Sequence, residues 1–399
     1  IYHQSFSKFW LQEDYFAYGQ LLNKNLSYFP KDKLQEIIKI KNKKIRIAFI
    51  SGDIRNSHSV TYFLRTILEK YDKKKYEIYL ILNQSISDET TDHFKNFVDQ
   101  TINIIDQDDI TAINIIRQLN LDFIFDLMSI TSTNRIKIIK NRVAKTQISW
   151  LGYCNTSGVE NMDYILTDHN LIHVGEHNLY SEKIIYLPQI WNCHSGISYQ
   201  RKENISPVCK NNYITFCSFN NFNKINDNVI NVWSKILKNV KNSKLLIKNS
   251  VIKQISKRLE DKFREQGVFE SVCILPREIN FQGHLKIYEK VDIALDTFPY
   301  NGVTTSFEAV YMGVPVLTMS GYNFNSRCGE SINNNLKLNY LVAANESDYI
   351  SKAINLSNDI DKLNDIRKKV FSTCLNSPLF NASSFSNDFF QIVDNLYKN

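Results

Sequence analysis

The sequence predicts an α/β protein with two Rossmann-like domains in tandem. Short apolar runs alternate with helical segments, first across residues 46–151 and again across residues 214–318. This alternation indicates parallel strands joined by right-handed helical crossovers. An irregular stretch between Pro188 and Pro207 separates the two series, and 399 residues suffice for about two to three domains.

The first series predicts the first sheet. Gly52 and Asp53 end its opening apolar run, as expected for a strand followed by a loop. The runs are nearly continuous in apolar residues, which suits strands covered on both faces. Strands are predicted at 46–51, 76–82, 101–106, 123–127 and 146–151, and helices at 60–71 and 110–119. Asp108 or Asp109 is the expected cap of the second helix.

The second series predicts a sheet of the same kind. Strands are predicted at 214–219, 244–248, 272–275, 293–296 and 314–318. Helices are predicted at 227–240, 251–266, 284–291 and 305–311, with a final helical segment near 380–398. Ligands in such folds bind outside the carboxyl ends of the strands, and the cleft between two domains is the default site.

The domain bounds follow from these two series and from the chain on either side of them. Residues 1–40 carry aromatic and leucine side chains spaced mostly by three and four, which indicates short helices. We therefore predict an N-terminal helical segment at 1–44, an N-terminal Rossmann-like domain at 45–205, a C-terminal one at 206–380 and a C-terminal helix at 381–399.

The composition is that of a folded protein and excludes a disordered chain. Hydrophobic residues make up 43% and aromatic residues 12%, whereas disordered chains are poor in aromatics. The net charge of +7, from 48 basic and 41 acidic residues, is mild for this length and indicates mostly solvated lysines. No basic stretch with interleaved aromatics suggests a nucleic-acid partner.

The cysteines and the hydropathy pattern bear on the compartment. The seven cysteines are odd in number and form no C-x-x-C pair, so free thiols in a reducing compartment are expected rather than a disulfide framework. No apolar run reaches 18 residues, and the start lacks the features of a signal peptide. We expect a cytoplasmic protein without a membrane span; the sequence begins without Met, and further chain is expected upstream.

The most informative local pattern lies where the fourth strand of the second series gives way to its last helix. A loop with Pro and Gly follows the strand, and Thr304 and Thr305 stand at the helix start. Free backbone N–H groups and the positive end of a helix favour a phosphate there. Glu308, one turn further on, can accept hydrogen bonds from a ribose diol. The alternative is an ordinary capping box of Thr305 and Glu308.

Two further loops carry candidate residues. Lys224 follows the strand at 214–219 and can neutralise a diphosphate leaving group, while Asn221 can donate to the same phosphates. His58 follows the first strand at the start of a helix, where a histidine suits proton transfer. The alternatives are a solvated surface lysine and a structural histidine.

Three patterns with the spacing of metal ligands fit other roles better. His169, His173 and His177 are spaced by four, but Gly175 and flanking asparagines favour a loop over a zinc-binding helix. Asp106-Gln107-Asp108 fits helix caps better than a metal-binding D-x-D motif. Asp359 and Asp361 lie in a predicted helical surface, and neither a Walker A sequence nor G-x-G-x-x-G occurs. No metal site is predicted.

Eleven short segments form an ordered set of motifs across roughly residues 45 to 395. They are 47–53, 58–60, 147–153, 156–158, 162–165, 180–183, 186–188, 219–221, 224–225, 295–300 and 313–318. In content and order, this set resembles the catalytic region of the O-GlcNAc transferase and SPINDLY-type family of protein O-glycosyltransferases.

The resemblance implies a GT-B fold and an inverting, metal-independent transfer of a sugar from a nucleotide sugar to a protein Ser or Thr hydroxyl. Lys224 matches the lysine that stabilises the leaving diphosphate, and Asn221 matches an amide near the phosphates. Three other matched positions concern the nucleotide: Thr304 and Thr305 match the hydroxyl pair at the helix start, Glu308 an acidic ribose-binding residue, and His284 a histidine beside the base. His58 matches a histidine proposed as general base, and Asp126 a carboxylate proposed in proton relay.

Departures from the family pattern leave alternatives open. Val303 stands where O-GlcNAc transferases have His, a departure shared with SPINDLY-type fucosyltransferases, so GDP-fucose is the alternative donor to UDP-GlcNAc. Ser129-Ile130 replaces Gly-His or Gly-Tyr on the acceptor side. A sugar-nucleotide-binding module without transferase activity is a further alternative, and a GT-B epimerase fits residues 150–153 less well. The family's TPR repeats are not in this sequence; either they lie upstream, or the acceptor is not a protein that they recruit.

Overall fold

The computed structural model describes most of the chain. The described residues are 9–37, 41–56, 58–202, 205–248, 253–276 and 280–398. They form two compact units, each with its own sheet. Of the described residues, unit 1 comprises 10–195 together with 381–398, and unit 2 comprises residue 9 and residues 196–380. The predicted α/β class with two parallel sheets is confirmed.

The sheet of unit 1 has seven parallel strands among the described residues, in the order β3-β2-β1-β4-β5-β6-β7. The strand order reverses between β1 and β4, which are neighbours in the sheet (Ile47 pairs with Phe123) although β2 and β3 intervene in the chain. The strands are β1 Ile45–Ser51, β2 Tyr76–Leu82, β3 Gln100–Asn103, β4 Phe123–Asp126, β5 Thr146–Ser149, β6 Tyr164–Asp168 and β7 Lys183–Leu187.

Helices connect these strands, and their starts follow ordinary capping chemistry. Asp108 accepts a hydrogen bond from the Thr111 N–H at 2.8 Å, which confirms the predicted cap. The helices of unit 1 are α1 Gln12–Asn25, α2 Ser59–Leu68, α3 Glu89–Lys95, α4 Asp109–Gln118, α5 Ile136–Lys140 and α14 Ala382–Lys398.

The last helix, α14, returns to unit 1 after the whole of unit 2. Its Phe389 ring centroid lies 4.9 Å from that of Phe125 and 5.3 Å from that of Trp150. Phe49 of β1 completes the cluster at 6.3 Å, and all four side chains are buried. An aromatic cluster of this size contributes much of the apolar burial that stabilises the unit.

The sheet of unit 2 has six parallel strands in the described chain, in the order β10-β9-β8-β11-β12-β13. Here the strand order reverses between β8 and β11, where Phe216 pairs with Ile293. The strands are β8 Ile214–Ser218, β9 Ser243–Lys248, β10 Val272–Leu275, β11 Ile293–Leu295, β12 Val316–Met319 and β13 Val342–Ala343.

The helices of unit 2 cover this sheet, with Trp233 of α7 fully buried. They are α6 Val208–Asn211, α7 Asp227–Asn239, α8 Lys253–Glu265, α9 Phe281–Ile287, α10 Thr304–Tyr311, α11 Cys328–Asn335, α12 Glu346–Asn358 and α13 Ile360–Thr373. The start predicted for α8 at 251–252 lies outside the described residues. Among the described helices of the chain, none is long and apolar enough to cross a membrane.

Candidate functional site

The donor-side candidates lie in unit 2, in the loops that follow β8 and β11. Asn220 and Lys224 follow β8, and Asp296 and the loop at 297–303 follow β11. Because β8 and β11 are the neighbouring strands at which the strand order reverses, both loops lie at the topological switch point. Ligands of open parallel sheets bind at that point.

The start of α10 does not form the capping box that sequence spacing allows. Val303 occupies the cap position without a side-chain cap bond. Thr305 instead donates from Oγ1 to Oδ1 of Asn220 across 2.7 Å. Glu308 is buried and bonds away from the helix start. The capping-box alternative is therefore wrong, and the first N–H groups of the helix keep the electrostatics that favour an anion.

Glu308 pairs with His284 of α9. Oε2 of Glu308 lies 2.9 Å from Nε2 of His284, and both residues are at most 5% exposed. The hydroxyl of Tyr288 donates to the Thr305 carbonyl at 3.1 Å and lies 3.5 Å from the same Glu308 oxygen. Two of the residues matched to nucleotide recognition are thus joined by one buried hydrogen bond.

Lys224 is held by the loop that follows β11. Its Nζ donates to the Asn301 carbonyl at 2.7 Å and lies 4.2 Å from the ring centroid of Tyr300. Lys224 ends a short 3-10 turn, Phe222–Lys224, capped by Asn221, whose Oδ1 accepts from the Asn223 N–H at 3.0 Å. A half-buried ammonium held at a switch point is not the freely solvated lysine of the alternative interpretation.

The loop backbone approaches the start of α10 closely at Gly302. A Cβ atom there would lie 2.7 Å from Oδ1 of Asn220, 2.8 Å from Oγ of Ser306 and 2.9 Å from Oγ1 of Thr305. Such distances leave no room for a side chain. Glycine therefore lets the loop close over the oxygens that surround the helix start.

In unit 1, His58 begins α2. Its Nδ1 accepts from the Val60 N–H at 3.4 Å, and its Nε2 lies 3.6 Å from Oδ1 of Asp53. Burial is the largest influence on His58 and lowers its pKa; Asp53 opposes this and Arg55 adds to it. The side chain caps a helix, as the structural alternative holds, and it also lies beside a buried carboxylate.

Asp126 ends β4, the strand next to β1 at the switch point of this sheet. Its Oδ1 accepts from the N–H groups of Met128 at 2.9 Å and Ser129 at 3.1 Å. Burial raises the pKa of this carboxyl to about 6, with the two N–H groups acting in the opposite direction. Ser129 has a φ of 48°, a left-handed conformation that glycine adopts more readily than serine.

The structure brings some candidates together and adds others. Lys224, Thr305, Glu308 and His284 are held by short hydrogen bonds within unit 2, whereas Asn221 is exposed and caps its own turn. Sequence reasoning missed Asn220, which holds Thr305. Its position directly after a predicted strand was the available signal.

Two of the three histidines with metal-ligand spacing, His169 and His177, contact a tyrosine, whereas Nδ1 of His173 lies 3.9 Å from Oε1 of Glu176. Nε2 of His177 lies 2.6 Å from the Tyr186 hydroxyl, and the His169 ring stacks on the Tyr186 ring at 4.1 Å. In the described part of the chain, no three His, Cys, Asp or Glu side chains are arranged to hold a metal ion. Ring contacts and a hydrogen bond account for this cluster.

Two parallel-sheet α/β units of this kind define the GT-B class of glycosyltransferase folds. The structure of Anabaena Alr3699/HepE in complex with UDP and glucose has this fold, with a TM-score of 0.59 over 88% of this chain and 100% of its own, at 9% identity. The chain belongs to Glycosyl transferase family 41, whose model matches residues 19–197 and 201–389.

Relatives within the family are SPINDLY proteins, each named as a probable UDP-N-acetylglucosamine–peptide N-acetylglucosaminyltransferase. The Arabidopsis thaliana protein is 31% identical over 90% of this chain and 40% of its own length. The Solanum lycopersicum protein is 29% identical over 94% of this chain and 41% of its own length. The chain thus spans about two fifths of these relatives.

A solved bacterial structure is similar across nearly the whole fold. A single-residue mutant of the Thermobaculum terrenum O-GlcNAc transferase matches with a TM-score of 0.91 at 25% identity, over 99% of this chain and 76% of that one. The predicted resemblance to the O-GlcNAc transferase and SPINDLY-type family is confirmed.

Proposed function

We propose that this chain is an inverting, metal-independent glycosyltransferase that moves GlcNAc from UDP-GlcNAc to Ser or Thr hydroxyls of proteins. One observation carries the proposal: in a chain of family 41, the Lys224 ammonium donates a hydrogen bond to the Asn301 carbonyl, beside the start of α10. The names of the SPINDLY relatives and of the bacterial neighbour support the choice of donor and acceptor.

On the donor side, residues of unit 2 bind the nucleotide sugar and stabilise the leaving diphosphate. Charge develops on the leaving diphosphate as the bond to the sugar breaks, and a fixed cation stabilises it without reorganising. Lys224 supplies that cation, while the Thr304 hydroxyl and the first N–H groups of α10, those of Thr304 and Thr305, supply donors. Glu308 accepts from the ribose hydroxyls, with His284 beside the base, and Asn221 lies next to the phosphates.

The acceptor side of the proposal assigns proton transfer to unit 1. A hydroxyl attacks the anomeric carbon, and its proton must pass to a base. Asp126 suits this step because a pKa of about 6 leaves the carboxylate ionised at neutral pH but still basic. His58 has a lowered pKa and is neutral at the same pH; its hydrogen bond from Val60 occupies one ring nitrogen.

Donor choice is tested by comparing UDP-GlcNAc with GDP-fucose, using thermal shift for binding and release of UDP or GDP for turnover. We expect UDP-GlcNAc to stabilise the protein and to turn over with a Ser/Thr peptide, at an unchanged rate after removal of divalent ions with EDTA. Turnover with GDP-fucose alone overturns the donor assignment in favour of the fucosyl alternative. Loss of activity in EDTA overturns metal independence, and binding without any transfer favours the binding-module alternative.

A substitution of Asp126 tests the proton-transfer step. The transfer rate of the unaltered protein should fall as the pH drops through about 6, because the protonated carboxyl no longer accepts a proton. Asp126→Asn should lower the rate by at least about 100-fold and make that acidic limb shallower. The readout is a pH profile of kcat from 5 to 9.

The matched control is Asp122→Asn. Asp122 is as buried as Asp126 but lies at the opposite end of β4, where it accepts from the Arg46 N–H at 2.9 Å. This variant should lose stability yet keep the acidic limb. An Asp126→Asn protein with the unaltered profile would assign the base elsewhere, and a loss confined to His58→Ala would assign it to His58.

A further inference from the structure

A buried carboxylate lies directly beneath the donor-side loop, at a residue with no role assigned so far. Asp296 follows β11 and is 2% exposed. Its Oδ1 accepts from the Gly302 N–H at 2.6 Å and from the Thr297 N–H at 2.9 Å. Its Oδ2 accepts from the Thr318 hydroxyl at 2.8 Å. One carboxylate therefore closes the loop at both of its ends.

This loop in turn holds Lys224. The Asn301 carbonyl that accepts from Lys224 belongs to the residue before Gly302, whose N–H Asp296 binds. The Asn301 side chain donates to the Thr297 carbonyl at 2.9 Å, so the loop is braced internally as well. The Asn301 carbonyl and the Gly302 N–H belong to the same peptide group, so a single peptide group links the Asp296 carboxylate to the Lys224 ammonium.

A second connection runs toward the start of α10. Nδ2 of Asn220 lies 3.5 Å from Oδ1 of Asp296, and Oδ1 of the same amide accepts from Thr305. When the Asn220 amide oxygen accepts the hydrogen bond from Thr305, the amide nitrogen therefore points toward the Asp296 carboxylate. Both donor-side elements, the lysine and the hydroxyl, are linked to Asp296.

We propose that Asp296 is a positioning residue for the nucleotide-sugar donor, which fixes Lys224 through the Asn301 carbonyl and Thr305 through Asn220. This inference rests on the proposed function, because it takes the Lys224 ammonium and the Thr305 N–H as contacts of the donor diphosphate. Asp296 acts through its neighbours and has no assigned contact with the substrate.

The charge of the carboxylate is part of its role. The ionisable groups that interact with it are Lys224, which favours the ionised form, and Tyr349 of α12, whose hydroxyl donates to the Asp296 backbone carbonyl at 3.0 Å. Burial outweighs these and the N–H donors and raises the pKa of Asp296 to about 6. Its hydrogen-bond partners are N–H groups and one hydroxyl, which match a carboxylate at neutral pH.

Asparagine is the substitution that separates charge from shape. In Asp296→Asn, the amide oxygen can still accept from the two N–H groups, and the amide nitrogen can donate to Thr318, whose hydroxyl then accepts. Glutamate would be too long, because a Cβ built on Gly329 already comes within 2.6 Å of Oδ2. Asp296→Asn therefore removes the charge with little change of volume.

A matched control exists at the other end of the same strand. Asp292 precedes β11, is also buried, and accepts from the Thr215 N–H at 2.8 Å. Burial raises its pKa as well. Asp292→Asn thus removes a buried charge from the same sheet, at the amino ends of the strands, whereas the donor-side loops lie at their carboxyl ends.

The test measures donor turnover from pH 5 to 9 and the Kd for UDP and GDP, with the full chain and both variants. Asp296→Asn should lower kcat by on the order of 100-fold at pH 8, the cost of misplacing a reacting group by about 1 Å. Below pH 6, the kcat of this variant should also fall less steeply with decreasing pH than the kcat of the unaltered protein. Asp292→Asn should keep both kcat and the slope. Unchanged kcat in Asp296→Asn, or an equal loss in Asp292→Asn, overturns the inference.

Hydrogen exchange of backbone amides in the 297–303 segment measures how firmly Asp296 holds this loop, and it needs no nucleotide-sugar donor. Asp296→Ala should accelerate exchange at Thr297 and Gly302, whereas Asp292→Ala should not; equal exchange in the two variants overturns the inference. If the unaltered protein neither binds a nucleotide nor turns over a donor, the proposed function fails while this measurement still decides whether Asp296 anchors the loop.

Discussion

Lys224→Ala should lower the rate of sugar transfer by at least about 100- to 1000-fold, the usual cost of removing one preorganised charge-stabilising group. The ammonium is held by the Asn301 carbonyl and the Tyr300 ring, so its position is set before the substrate binds. The loss should appear in kcat more than in the KM for the donor, because the charge on the diphosphate grows as the bond breaks. Steady-state release of the nucleoside diphosphate measures both constants.

Lys235→Ala is the control for this substitution. Lys235 lies on the exposed face of α7 in the same unit, and its removal deletes the same charge without touching the loops at the switch point. We expect its kcat to stay within about twofold of the unaltered protein, since substitutions of exposed residues away from a site usually have energetic effects of no more than about 0.5 kcal/mol. A Lys224→Ala protein as active as the Lys235→Ala protein would remove the lysine from the mechanism.

Phe389→Ala should destabilise unit 1 by about 3–5 kcal/mol, the range for removing a buried phenylalanine from a packed core. The side chain is 1% exposed and contacts Phe125 and Trp150 across the sheet. Its removal leaves a cavity among large rigid rings that cannot collapse to fill it. Chemical denaturation of the full chain, followed by tryptophan fluorescence and circular dichroism, gives the change.

Asn387→Ala provides the comparison on the same helix. Asn387 is exposed, so its replacement should change the free energy of unfolding by less than about 0.5 kcal/mol. Equal stability of the Phe389→Ala and Asn387→Ala proteins would show that α14 contributes little to unit 1.

The sequence predicts strands with continuous apolar runs well. Residues 76–82 and 272–275 are predicted to the residue, although the second of these, β10, lies at a sheet edge. The strands β6 and β7 were not predicted, because their apolar runs at 164–166 and 184–187 are short, and periodicity alone does not assign so short a run to a strand. The helix predicted at 284–291 begins earlier, because Asn280 caps it by accepting from the Gly283 N–H at 2.7 Å.

The candidate site was predictable only in part. The motif order gives the positions of Lys224, Thr305 and Glu308, and the strand-end rule places Lys224 and the start of α10 after neighbouring strands. The pairing of Glu308 with His284 depends on how α9 packs beside α10, which local spacing does not contain. The same holds for Asp296, whose partners come from its own loop, from β12 and from the segment after β8.

The return of α14 to unit 1 has a consequence for synthesis on the ribosome. Every residue of unit 2 precedes Ala382 in the chain, so the whole unit has been made before the first residue of α14 is added. Trp150 and Phe125 meanwhile lack their partner Phe389, and at about 5–20 residues per second the wait lasts on the order of 10 to 50 s. During that interval the aromatic face of unit 1 is open to chaperones and to aggregation, and a chain that stops short of Ala382 never closes it.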